Sequence, residues 1–186
     1  NGTAITSPTP QQVRQLGLAY VPEERMRDGA IGEFTVAENL MLVDYVTPPF
    51  TQRGLLNATA IEKRSGELIS DYGVKTPTMH TPTRHLSGGN IQKVVIAREF
   101  SSSSDALVVA QPTRGVDIGA AEYIHERLLE QRSSGSAILL ISEDLDEVMQ
   151  LSDRIIVVLE GEVMGEVARA DATVKGIGLL MTGVTE

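Results

Sequence analysis

The sequence predicts an α/β fold: a parallel sheet whose strands alternate with helices, joined to a mainly helical segment. Three observations carry that prediction. Ala106-Leu107-Val108-Val109-Ala110 and Ala137–Ile141 are continuous apolar runs of strand length, the pattern of strands buried on both faces. Helical patterns over Ala120–Gln131 and Leu145–Leu151 follow them, the alternation that right-handed parallel crossovers produce. Residues from about 25 to 104 read mostly as helix.

Taken in order, residues 1–15 are rich in turn formers, with a short helix allowed at Pro10–Leu16. Leu18–Val21 reads as a strand stopped by Pro22, and Glu23–Gly29 as a charged, solvated loop. Thr35 is a natural cap for a helix over Val36–Tyr45, closed by Pro48-Pro49. A longer helical pattern covers Leu55–Tyr72, with Ala60, Ile61, Leu68, Ile69 and Tyr72 on one side, Asn57 or Thr59 at its start and Gly73 at its end. Thr76–Thr83 is a proline-broken loop. Ser101–Ser104 is a link or a solvated turn, with no base to make any of its hydroxyls a nucleophile. Beyond the two buried runs, Arg154–Leu159 is expected as a third strand. Glu160-Gly161 turns into a fourth, Glu162–Val167, which adds an edge, and a helix over Thr173–Met181 follows.

Bulk composition narrows the function. With 186 residues and 41% hydrophobic side chains, the chain can build one domain with a real core. Its net charge of -9 argues against nucleic acid as a partner, because phosphate backbones call for clustered Lys and Arg. There are no cysteines, hence no disulfides and no thiolate metal sites. His80, His85 and His125 are scattered without paired ligands, so no metal site is assigned. No apolar run approaches the length of a membrane span, and no signal peptide is visible. The expectation is a soluble protein in a reducing compartment. A start at Asn1 rather than methionine suggests a piece of something longer.

The most informative stretch is Leu86-Ser-Gly-Gly-Asn-Ile-Gln-Lys-Val-Val-Ile-Ala-Arg-Glu99. Its second part fits a helix with Ile91, Val94, Val95 and Ala97 on a buried face, and Ser87 is a good N-cap. Two glycines at a helix start let backbone N–H groups approach an anion closely. Ser-Gly-Gly alone reads as an ordinary capped helix, but the whole string resembles the signature motif of ABC ATPases. Asn90 followed by Gln92-Lys93 resembles the version found in importers of sugars and nucleosides.

That resemblance extends over nearly the whole chain. Tyr20-Val21-Pro22-Glu23 is similar to the strand entering the Q-loop, with Glu23 where the family has glutamine. Leu107–Ala110 with Gln111-Pro112-Thr113 resembles the Walker B region, whose strand ends in Asp-Glu in the family. Here Ala110 offers no ligand atom, and the Gln111 amide is a poor proton acceptor. Thr113-Arg114-Gly115-Val116-Asp117 resembles the D-loop, with Asp117 the matching acid, which is also a plain helix N-terminal charge. Ile141-Ser142-Glu143-Asp144-Leu145 resembles the switch region, with Glu143 where the family has histidine; a carboxylate there repels phosphate unless a cation intervenes. No Gly-x-x-x-x-Gly-Lys-Ser/Thr loop occurs in the chain.

The resemblance therefore implies a partial P-loop NTPase (RecA-like) parallel sheet with an inserted helical ABC subdomain. Residues 1–186 form one partial ATPase domain, with 25–104 the helical signature subdomain and 105–186 the core strands and last helix. It implies the second, degenerate half of a tandem importer ATPase, without the Walker A loop. That half lends Ser87, Gly88, Gly89, Asn90 and Gln92 to the ATP site of the first half. No catalytic group of its own is intact at Ala110, Gln111 and Glu143. ATP and Mg²⁺ are the implied cofactors of the complete protein. The implied partners are the first ATPase half, membrane permease subunits and, indirectly, an extracytoplasmic solute-binding protein, at the cytoplasmic face of the plasma membrane. The alternatives are a soluble ABC-type ATPase without a transport role, and a non-catalytic interaction module.

Overall fold

The computed structural model describes residues 6–102 and 104–184. The first five residues of the turn-rich start and Ser103 of the serine run lie outside the described residues. The chain forms two compact units that divide between Leu139 and Leu140. Residues 25–104 and the strands that begin the sheet thus share one unit.

A three-stranded sheet runs in the order β1 (Leu18–Val21), β4 (Ala106–Ala110), β5 (Ala137–Ile141), the last two residues of β5 belonging to the second unit. The β1–β4 pair is parallel, with Leu18 opposite Ala106 and Val21 opposite Val109. This is the α/β architecture expected from the buried runs. β4 is the central strand, and Leu107 and Val109 are almost wholly inaccessible. β5 departs from its expected burial on both faces: Leu139 and Ile141 are 57% and 49% exposed.

Around the sheet stand α1 (Pro10–Gln15), α2 (Val36–Leu40), α3 (Ala58–Asp71), α4 (Gly88–Phe100) and α5 (Ile118–Ser133). Their starts follow local chemistry. Thr9 and Thr35 make capping boxes with Gln12 and Glu38, and Asn57 and Asp117 accept from the amides of Ala60 and Ala120. Two expectations need correction. The helix at Val36 stops at Leu40 and continues as turns, with Met41 leaving helical geometry at φ -98°, ψ 1°. The segment before α3 is not helical from Leu55. Arg53 and Gly54 both take positive φ (52° and 80°), which folds β2 (Thr51–Gln52) back on β3 (Leu55–Leu56) as a tight hairpin.

α2, α3 and α4 enclose the helical core of Val36, Leu40, Met41, Leu68, Val74, Val94 and Ala97. A charged group is buried beside it with its partners. Glu99, 0% exposed, accepts from Arg14 Nη1 and Nη2 (2.8 and 3.1 Å), from Arg98 Nε (2.8 Å) and from the Tyr20 amide (3.3 Å). It thereby joins α1, β1 and α4.

The second unit holds α6 (Leu145–Leu151), β6 (Arg154–Leu159), β7 (Glu162–Ala168) and α7 (Val174–Met181). Among the described residues β6 pairs with β7 in an antiparallel two-stranded sheet. Its turn is the expected Glu160-Gly161, with φ of 50° and 85°. Ile155, Val157, Ala172 and Ile177 form the small core. Among the described residues no helix is long and apolar enough to cross a membrane.

Candidate functional site

The start of α4 is the turn that the sequence points to as anion-facing. Ser87 stands at the N-cap with φ -65° and ψ 155°, and the first intrahelical bond runs from the Ile91 amide to Ser87 O at 2.9 Å. Yet the Ser87 side chain makes no cap bond to the helix amides. Its Oγ instead accepts from Asn90 Nδ2 at 2.8 Å, while Asn90 Oδ1 accepts from the Lys75 amide at 2.8 Å. The other six α-helices of the described residues each have a cap side chain that accepts from a backbone amide. Ser87 is therefore a cap by position whose hydroxyl is held away from the N–H groups of the first turn. Ser87 is exposed and Gly88 partly so, whereas Gly89 is buried.

The two glycines have neighbours within the chain. A Cβ on Gly89 would lie 3.2 Å from Ala120 Cβ and 3.6 Å from Asp117 Oδ2. One on Gly88 would lie 2.7 Å from Arg25 Nη2 and 3.3 Å from Gly115 O. The signature start is thus packed directly against the Asp117 turn and against the segment that follows Glu23. Gln92, assigned to the same motif, is 2% exposed and points into the fold, so its side chain is removed from exposed Ser87 and from the half-buried Gly88 and Asn90.

Glu23-Glu24-Arg25 is more than a solvated turn. Residues Arg25–Gly29 wind as a single π-helical turn. Glu23 is paired with Arg114, and Glu24 lies 3.9 Å from the same guanidinium. Arg25 reaches the backbone of the same turn. Sequence reading missed Arg25 and Arg114. The available signal was indirect, in glycines at 88 and 115 that leave room for a side chain from elsewhere. Asp117 is exposed and caps α5 through Oδ1 to the Ala120 amide at 2.9 Å.

At the end of β4, Ala110 is 8% exposed and offers no ligand atom, so this position does not fit a divalent cation. Gln111 follows with φ 47°, a left-handed backbone that a non-glycine residue adopts at a cost. In the second unit Glu143 is exposed. Next to it Asp144 caps α6, accepting from the amides of Asp146 and Glu147 at 2.9 and 3.1 Å. Among the described residues no group of three or more His, Asp or Glu side chains could hold a metal ion.

No protein-family model matches the chain. Curated relatives do. It is 41% identical over 186 residues to the guanosine import ATP-binding protein NupO of Bacillus subtilis, covering 100% of this chain and 36% of that protein. It is 42% identical to the nucleoside import ATP-binding protein NupA of Lactococcus lactis, over 96% of this chain and 35% of that protein. It is 37% identical to the ribose import ATP-binding protein RbsA of Oceanobacillus iheyensis, over 98% of this chain and 36% of that protein. The chain spans about a third of the length of these relatives. Among solved structures, a bacterial ABC transporter cassette crystallised as a dimer superposes with a TM-score of 0.69 at 24% identity, over 84% of this chain and 65% of its own. An ATP-binding subunit of an ABC transporter gives 0.70 at 23% identity, over 93% and 71%. Its sequence, along its whole length, and its cassette fold place this chain in the family of ABC ATP-binding proteins.

Proposed function

We propose that this chain is the signature-bearing part of the second ATPase half of a tandem ABC importer ATP-binding protein, serving uptake of nucleosides or sugars. The observation that carries the proposal is the uncapped, exposed turn at Ser87, where an oxyanion can take the place of the missing cap. Ser87 Oγ and the amides at the start of α4 would grip the terminal phosphates of an ATP bound by the first half of the same protein. Donors fixed in advance where negative charge develops are a large source of rate acceleration.

The chain's own hydrolytic positions do not support turnover. Ala110 cannot hold Mg²⁺, Gln111 is a neutral amide, and Glu143 adds a negative charge in place of a phosphate donor. The two halves would then be unequal, with this half completing the working site of the other. Similarity to import ATP-binding proteins supports permease subunits as docking partners for the Glu23–Tyr72 segment, with a solute-binding protein acting through them. That arrangement places the protein peripherally, at the cytoplasmic face of the membrane.

The test is ATP turnover by the intact protein. Ser87→Arg puts a long cation into the phosphate-facing turn and should lower the rate by about a hundredfold or more. Gln111→Ala should leave it nearly unchanged. The reverse pattern, with Gln111→Ala silent and Ser87→Arg active, rules the proposal out.

A further inference from the structure

Arg25 stands where three segments that are distant in sequence meet. Its Nη1 donates to Arg114 O at 2.6 Å and its Nη2 to Gly115 O at 3.1 Å. The turn's own bonds, Arg114 amide to Gln111 O and Val116 amide to Thr113 O, use other carbonyls. The guanidinium also fills the space beside the signature, since a Cβ on Gly88 would lie 2.7 Å from Nη2 and one on Gly115 3.4 Å. The backbone that carries Arg25 is itself seated on α4: at Gly29, which ends the same turn, a Cβ would lie 3.2 Å from Pro22 and 3.3 Å from Val95. The Glu23–Arg114 pair adds a second tie between the same two segments.

We propose that Arg25 is a positioning residue that fixes the 114–117 turn against the start of α4, so that Ser87 and Asp117 keep one relative geometry. A guanidinium suits the task because its rigid planar fork holds two N–H groups in fixed geometry toward two adjacent carbonyls, whereas an ammonium is a point charge on a flexible stem. Donors of a charged group make the stronger class of hydrogen bond. The link also gives the Glu23–Arg25 segment a mechanical path to the turn bearing Asp117. Its consequence for ATP turnover rests on the function proposed above; the clamp itself does not.

The test compares Arg25→Ala, Arg25→Lys and Gly88→Ala in the intact protein, by amide hydrogen exchange and by turnover. Arg25→Ala should speed exchange about tenfold at residues 86–91 and 113–118 together, with the 154–168 hairpin unchanged. Gly88→Ala, which pushes the guanidinium out from beneath, should do the same. Arg25→Lys should fall between wild type and Arg25→Ala. For turnover, Arg25→Ala should lower kcat about tenfold while KM for ATP moves less than about twofold. Unchanged exchange at either segment overturns the proposal, as does faster exchange spread equally to the hairpin. So does local loosening with kcat intact in a protein whose turnover Ser87→Arg abolishes. If Ser87→Arg leaves turnover intact, the proposed function fails, and the exchange comparison alone still decides the clamp.

Discussion

Asn39→Ala should cost about 4 kcal/mol of folding stability, and the sum can be worked from its contacts. Asn39 is 0% exposed. Its Oδ1 accepts from the Ile31 amide at 2.8 Å; its Nδ2 faces Ile31 O and Thr83 Oγ1 at 2.9 Å, Thr35 O at 3.1 Å and Phe34 O at 3.3 Å. An amide nitrogen carries two hydrogens, so those four contacts amount to two full bonds. The three carbonyls are not orphaned by the substitution: each also accepts a backbone amide, from Phe34, Asn39 and Thr83, at 2.9–3.0 Å. Three net bonds at about 1 kcal/mol each, and one donor left unsatisfied at about 1 kcal/mol, make up the total. Urea unfolding measures it. A loss under about 1.5 kcal/mol would show that water replaces the side chain and that the network is not the tie it looks like. Asn39→Asp sharpens the test. It sets a carboxylate among carbonyl oxygens, which raises the folded-state pKa of the introduced acid above its unfolded value of about 3.9. The folded form then binds the proton more tightly, so that variant should be least stable at neutral pH and recover as the pH falls toward 4.

Two further outcomes follow from local geometry. The Thr35 amide and hydroxyl, both bonded to Glu38, hold that carboxyl below the usual range. Its stabilisation is therefore present above the unfolded value of about 4.3 and lost as the pH falls through the lower folded value. Glu38→Gln should accordingly narrow the gap between urea midpoints at pH 7 and pH 3; an unchanged gap removes the capping box as a source of acid sensitivity. Gly161→Ala should cost about 1 kcal/mol by melting temperature, purely from its φ of 85°, because a Cβ there meets nothing within 4 Å. An unchanged melting temperature would mean that the hairpin turn tolerates an L side chain in the left-handed region.

What the sequence made legible is what local chemistry decides. Thr35, Asn57, Asp117 and Thr173 cap helices as their types suggest, and Glu160-Gly161 turns a hairpin, because each outcome depends on a few consecutive residues. β4 was legible because a fully apolar run admits few alternatives to a central strand. Within β6, Ile155 and Val157 are buried while Ile156 and Val158 are 47% and 60% exposed, an alternation that apolar side chains at all four positions hide. The ties that span the chain were invisible for a different reason. Arg14 and Glu99 are separated by 85 residues, Arg25 and Arg114 by 89, and neither pair has a local periodicity to betray it.

The signature glycines show how one residue type can answer two demands. Their sequence context points outward, to a phosphate approached by bare amides. In the structure the missing side chains make room inward, for Arg25 at Gly88 and for Ala120 and Asp117 at Gly89. The demands are complementary, since amides can hold an anion only if they are fixed in advance, and loops free to move would lose that advantage to reorganisation. Close packing from behind supplies the fixation, and the diverted Ser87 hydroxyl leaves the front of the turn uncapped. A larger residue at Gly88 thus acts first on the Arg25 clamp, whereas one at Ser87 would act first on the phosphate proposed to bind there. The two positions, adjacent in sequence, should therefore fail in different ways, through local loosening at Gly88 and through lost turnover in an intact fold at Ser87.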